Sequence, residues 1–159
     1  LVIVFFYILL RFQKWQFSLG AVSAVFHDVL IVLGIFSLTY KIMPFNMEIN
    51  QAFIAALLTV IGYSLNDTVV VFDRIREFFR IHKSWDNETT VNTALNSTLS
   101  RTLNTSLTTL IVLIAIFIFG GESIRGFMFA LIIGVMVGTY SSVFIATPIM
   151  FDSYTKKVS

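Results

Sequence analysis

Apolar-rich stretches about as long as a bilayer is thick constrain this chain more than any other feature. A helix rises 1.5 Å per residue, so about 20 apolar residues cross ~30 Å of hydrocarbon. Four stretches reach that length, at 19–40, 51–73, 97–119 and 126–151, and a shorter one occupies 1–10. Such runs cannot all be buried around the core of a water-soluble domain. Apolar residues make up 57% of the chain and charged residues 13%, against roughly 45–50% and ~25% in soluble domains. With a mean hydropathy of +0.86, these values exclude a soluble globular domain and a disordered tail. The runs are continuous rather than alternating, which argues against a transmembrane β-barrel. Cysteine is absent, which removes disulfides, thiolate metal sites and cysteine nucleophiles.

The predicted fold is an all-α polytopic membrane protein, a bundle of five transmembrane segments in a single domain, 1–159. The first segment is expected to be truncated, because ten residues span only about 15 Å. It carries no basic n-region, so no signal peptide is expected. Pro44 and Asn46 break the chain between the second and third segments. A basic loop is expected over 74–96. Within it, 74–83 has apolar residues at helical spacing and reads as a solvated or interfacial face near anionic headgroups, or as a dock for another protein. The fourth segment is helical from about 91, yet only 110–119 is purely apolar.

Net charge is +2, from 11 Lys+Arg and 9 Asp+Glu, and gives no reason to expect nucleic acid. Position is more informative. If the connections alternate sides, one side collects Arg11, Lys14, Arg74, Arg76, Arg80, Lys83, Lys156 and Lys157, and the other only Lys41 and Arg125. The positive-inside rule places the richer side, and with it the C-terminus, in the cytoplasm.

Asp67 stands inside the third segment, where a carboxylate costs about 2.5–3.5 kcal/mol on insertion scales. Arg101 lies in the fourth segment. Counting from the outer ends, Asp67 is roughly 22 Å deep and Arg101 roughly 27 Å deep, so the two charges are expected at compatible levels. Ser64 and Tyr63 share a face with Asp67, and Asn66 stands on the next face. Arg101 shares a face with Asn104, Thr105 and Thr108. Facing polar stripes can hold a chain of water, and a carboxyl there can take up and release a proton. A static ion pair pinning two helices fits the same residues. His27-Asp28, in the second segment, is a second polar pair that fits a relay, a local pair or a satisfied core histidine. In the fifth segment Ala130, Gly134, Gly138, Ser142 and Ala146 recur every four residues, a stripe that lets another helix approach closely. The sequence has no G-x-S-x-G, H-E-x-x-H or P-loop pattern, so neither an enzyme nor a metal site is expected.

The run Gly62-Tyr63-Ser64-Leu65-Asn66-Asp67-Thr68-Val69-Val70-Val71-Phe72-Asp73-Arg74-Ile75-Arg76-Glu77 resembles the signature of the SecF family of bacterial protein-export membrane proteins. His27-Asp28-Val29, Thr98-Leu99-Ser100-Arg101-Thr102-Leu103, Thr105-Ser106-Leu107-Thr108-Thr109, Gly120-Gly121, Ile133-Gly134 and Gly138-Thr139-Tyr140-Ser141-Ser142 are similar in order and spacing. The resemblance covers essentially the whole chain. It implies half of a membrane domain of the resistance-nodulation-division type, without the family's first helix and extracytoplasmic domain. It further implies a multi-pass protein of the bacterial inner membrane. Such a protein pairs with SecD, separate or fused, and works with the SecYEG translocon, SecA and YidC on secreted preproteins. Protons are the coupling ion and there is no cofactor. By the same resemblance Asp67 and Arg101 belong to the proton pathway, with a further aspartate supplied by SecD. Two other readings remain: a non-conducting scaffold of the translocon, and a small-molecule efflux half of the same superfamily.

Overall fold

A computed structural model describes residues 1–45 and 47–155. The break assigned to Asn46 and the charges of Lys156 and Lys157 lie outside the described residues. Helix α1 is Val2–Phe12, α2 Trp15–Thr39, α3 Gln51–Ile81 and α4 Asn87–Phe119. The last helix is continuous over Glu122–Thr155, as α5 (Glu122–Ser141), a π-helical turn (Ser142–Ala146) and α6 (Thr147–Thr155). Four of these five helices are long and apolar enough to cross a membrane.

Local signals set the ends. Gln13 takes the left-handed conformation (φ 55°) and its N–H caps Leu9, so α2 can start two residues later. Asn50 caps α3 by accepting from the Phe53 N–H at 3.1 Å, and Asp86 caps α4 by accepting from Thr89 at 2.9 Å. The π turn forms where Thr147 Oγ1 donates to the Ser142 carbonyl at 3.0 Å and Pro148 offers no N–H to the ladder.

The expected loop over 74–96 is corrected. Helix α3 runs on to Ile81, α4 begins at Asn87, and only a short turn separates them. The charged stretch is an amphipathic continuation of α3. Ile75 is fully buried, Phe78 and Phe79 pack beside it, and Arg74 pairs with Glu77 one turn on at 2.7 Å.

Two apolar cores stack along the bundle. The first, at the end where the α1–α2 and α3–α4 turns meet, is built on Phe12, Phe17, Phe72, Ile75, Ala146 and Met150. This is the basic end, carrying Arg11, Lys14 and the cations after Phe72. The second, at the far end, is built on Val32, Phe36, Phe53, Val60, Ala130 and Ile133. Phe45, in the α2–α3 connection, seals it edge-on against Phe117 and Phe129. Helix α4 is peripheral. Only 11% of its most apolar stretch is buried, against 33–44% for the other three long helices. Between the two cores is a gap in which buried polar side chains gather.

Candidate functional site

The gap is a polar belt. From α2 comes Asp28, 1% exposed. Its Oδ2 accepts from Ser64 Oγ of α3 at 2.5 Å and from Ser141 Oγ of α5 at 2.7 Å, while Oδ1 lies 3.1 Å from His27 Nδ1. One carboxylate thus ties three helices together and keeps its neighbouring imidazole as counter-group. His27 is about one-third exposed, so it bridges the belt and the helix surface.

One turn along α3 from Ser64 stands Asp67, 5% exposed. Thr139 Oγ1 of α5 lies 3.4 Å from its Oδ2, Ser106 Oγ of α4 lies 2.6 Å from Thr139 Oγ1, and Tyr63 OH donates to Ser106 Oγ at 3.2 Å. Each hydroxyl has one proton to give. In one orientation Tyr63 donates to Ser106, Ser106 to Thr139 and Thr139 to an ionised Asp67. In the other, Ser106 turns to the Thr102 carbonyl (2.8 Å) and Thr139 to that of Val135 (2.8 Å), which leaves Thr139 free to accept from a protonated Asp67. The row therefore serves both protonation states without moving a helix. Beside it the hydroxyl of Thr68 is buried without a partner among the described residues.

The expectation of facing stripes is corrected. No ion pair joins Asp67 to Arg101. Helix α4 turns Thr98, Thr102 and Ser106 inward, spaced by four and all buried. Arg101, Asn104, Thr105 and Thr108 lie on another face and are exposed. The register has the same origin: Ser106 stands level with Tyr63 and Thr139, and Arg101 lies five residues, about 7 Å, nearer the basic end. Thr105 and Thr108 satisfy their hydroxyls on their own helix, at Arg101 O (3.0 Å) and Asn104 O (2.9 Å). Asn66 is likewise exposed on the outer face of α3.

The small stripe lies against α3 and α2. Ala130, Gly134, Gly138, Ser142 and Ala146 are all buried. A Cβ at Gly134 would collide with the Val60 side chain, and one at Gly138 would come 3.1 Å from Ser64 Cβ. Close approach at Gly138 lets Ser64 and Ser141 reach one carboxylate. Gly20 of α2 plays the same part against the Ala146 carbonyl of the π turn.

Reading the residues did not single out Ser106, Thr139 and Ser141 for this belt. The available signal was the four-residue spacing of Thr98, Thr102 and Ser106, and two hydroxyls flanking Tyr140 beside a buried glycine.

Residues 1–156 match the family described as protein export membrane protein SecD/SecF, C-terminal. Protein translocase subunit SecF of Rhodothermus marinus is 60% identical over 152 residues, 96% of this chain and 49% of that protein. Its counterpart in Cereibacter sphaeroides is 51% identical over 144 residues, 91% of this chain and 42% of that one. The chain thus spans about half the length of these relatives. A crystal structure of SecDF in a super-membrane-facing form superposes with a TM-score of 0.87 at 40% identity, over 97% of this chain and 20% of that one.

Proposed function

The chain belongs to the SecD/SecF C-terminal family of protein-export membrane proteins, and from that premise we propose that it is the proton-responsive membrane part of a SecF subunit. In this reading it pairs with a SecD partner in the bacterial inner membrane and assists secreted proteins through the Sec translocon, with its basic end and C-terminus in the cytoplasm. SecYEG, SecA and YidC are the expected neighbours. Asp67 is the group that takes up and releases the proton. The row Tyr63–Ser106–Thr139 accommodates both of its states, and Asp28 anchors the helices on which the row stands.

A single observation carries the reading. Asp67 is buried in a membrane helix with hydroxyls to hold it and no ion pair to a cation among the described residues. A carboxyl built only to pin helices needs a fixed partner of opposite charge, whereas a group that changes protonation state needs partners that tolerate both. Arg101 then acts outward. Its guanidinium makes no hydrogen bond or ion pair with a described residue, which fits a site completed by the carboxylate of a second subunit.

The test is export by vesicles containing the whole SecD–SecF pair and the translocon. Asp67→Asn keeps the hydroxyl contacts and is expected to insert normally and to lose the stimulation of export by a proton gradient. Full stimulation in that variant would favour the scaffold reading.

A further inference from the structure

A cleft of about 820 Å³ opens at the basic end, between the α1–α2 turn, the last turns of α3 and α6. It has no part in the belt. Lys14, Arg76, Arg80 and Lys83 line it, together with two acids, Asp73 and Glu77. Both acids are already neutralised, Asp73 by Arg11 at 2.6 Å and Glu77 by Arg74 at 2.7 Å. Four cations therefore line the opening without an ion pair to any described residue. Lys14 gives one N–H to Tyr154 OH at 3.2 Å, and Arg76 gives one to the Arg11 carbonyl at 3.2 Å, so each keeps donors to spare. Arg80 and Lys83 make no hydrogen bond or ion pair with any described residue.

The walls are aromatic. His82 and Trp85 stack at 3.9 Å on one side, and Phe79 and Tyr154 stack at 5.2 Å on the other. The chain's two tryptophans, Trp15 and Trp85, both stand at this end of the bundle, partly exposed, as tryptophans do at headgroup level. The cleft thus lies where the apolar spans end. It presents cations to a phosphate and flat rings to a glycerol backbone, and its volume is within the range of small-molecule sites.

We propose that this cleft binds the headgroup of an anionic glycerophospholipid of the adjacent leaflet, with the phosphate between Arg76, Arg80 and Lys83. Basic pockets between transmembrane helices bind such headgroups, and each Lys or Arg near a membrane surface contributes about 1 kcal/mol, a fivefold effect on association.

The chain carries its own reporter. Trp15→Phe leaves Trp85, on the cleft wall, as the only tryptophan. The full chain bearing that substitution is placed in phosphatidylcholine vesicles containing either dibrominated phosphatidylglycerol or dibrominated phosphatidylcholine at equal mole fraction. Quenching of Trp85 is expected to be stronger with the glycerol lipid. Adding Arg80→Gln and Lys83→Gln, exposed side chains whose loss leaves the fold intact, is expected to weaken relative association about fivefold per charge removed. Inorganic phosphate in the aqueous phase is expected to leave the preference unchanged. Equal quenching by the two lipids, or a preference that survives both substitutions, would overturn the proposal. Loss of the preference to inorganic phosphate would instead assign the cleft to a free anion and overturn it as a lipid site.

Discussion

Two polar surfaces of this bundle contain similar residues in opposite settings. The belt between the cores turns Asp28, Asp67 and five hydroxyl-bearing side chains inward, and nearly every polar atom there has a protein partner on another helix. The outer face of α4 turns Arg101, Asn104, Thr105 and Thr108 away from the chain, and its threonines bond only their own helix. A polar group in hydrocarbon must be satisfied. The belt meets that need within one subunit. On the outer face the threonines meet it on their own helix, while the Arg101 and Asn104 side chains make no hydrogen bond with a described residue. Intramembrane polarity alone therefore does not mark a complete site; the helix at the other end of each hydrogen bond does.

The strongest way to break this contrast is steric. Gly134→Leu would drive a side chain into Val60, where α5 and α3 touch, at a cost of about 3 kcal/mol or more. Loss of monodisperse protein in detergent is expected, while Asn104→Leu on the outer face should leave the elution profile unchanged. If Asn104→Leu were as damaging, the outer face would be part of the fold.

A milder pair sharpens it. Ser64→Ala and Ser141→Ala each remove a hydrogen bond to Asp28 and are expected to cost about 1–2 kcal/mol in reversible unfolding. Thr105→Ala, whose hydroxyl bonds only its own helix, should stay within about 0.5 kcal/mol. Equal costs would mean that the belt is no better satisfied than the surface.

The smallest expected effect lies outside both regions and calibrates them. The Thr89 backbone N–H holds the Asp86 carboxyl below the usual carboxylate range. A lowered value means that the cap contributes above the ordinary aspartate range and is lost as pH falls through the folded value. Hydrogen exchange at the first turn of α4 should therefore speed up in acid, and Asp86→Ala should abolish that pH dependence.

Much of this was legible in the sequence. Hydropathy located the long helices because nothing but lipid or a core can receive such runs. It misplaced the end of α3, because the polar half of an amphipathic turn reads as a loop when only apolar length is counted. Asp28, Ser64 and Asp67 could be read because a carboxylate in oil is conspicuous. Ser106, Thr139 and Ser141 were hidden because a hydroxyl in a membrane helix can bond its own carbonyls, and so carries no obvious cost until a neighbouring helix is present. The direction of Arg101 was hidden for another reason. Helix α4 bears two polar stripes, Thr98–Thr102–Ser106 and Arg101–Asn104–Thr105–Thr108, and periodicity does not say which one faces inward.

The most direct test is proton uptake driven by a pH gradient into vesicles containing the assembled SecD–SecF pair, with Asp67→Asn and Arg101→Met measured beside the unaltered protein. The account predicts that Asp67→Asn abolishes uptake, and that Arg101→Met lowers it only when the partner subunit is present. Undiminished uptake by Asp67→Asn would contradict it.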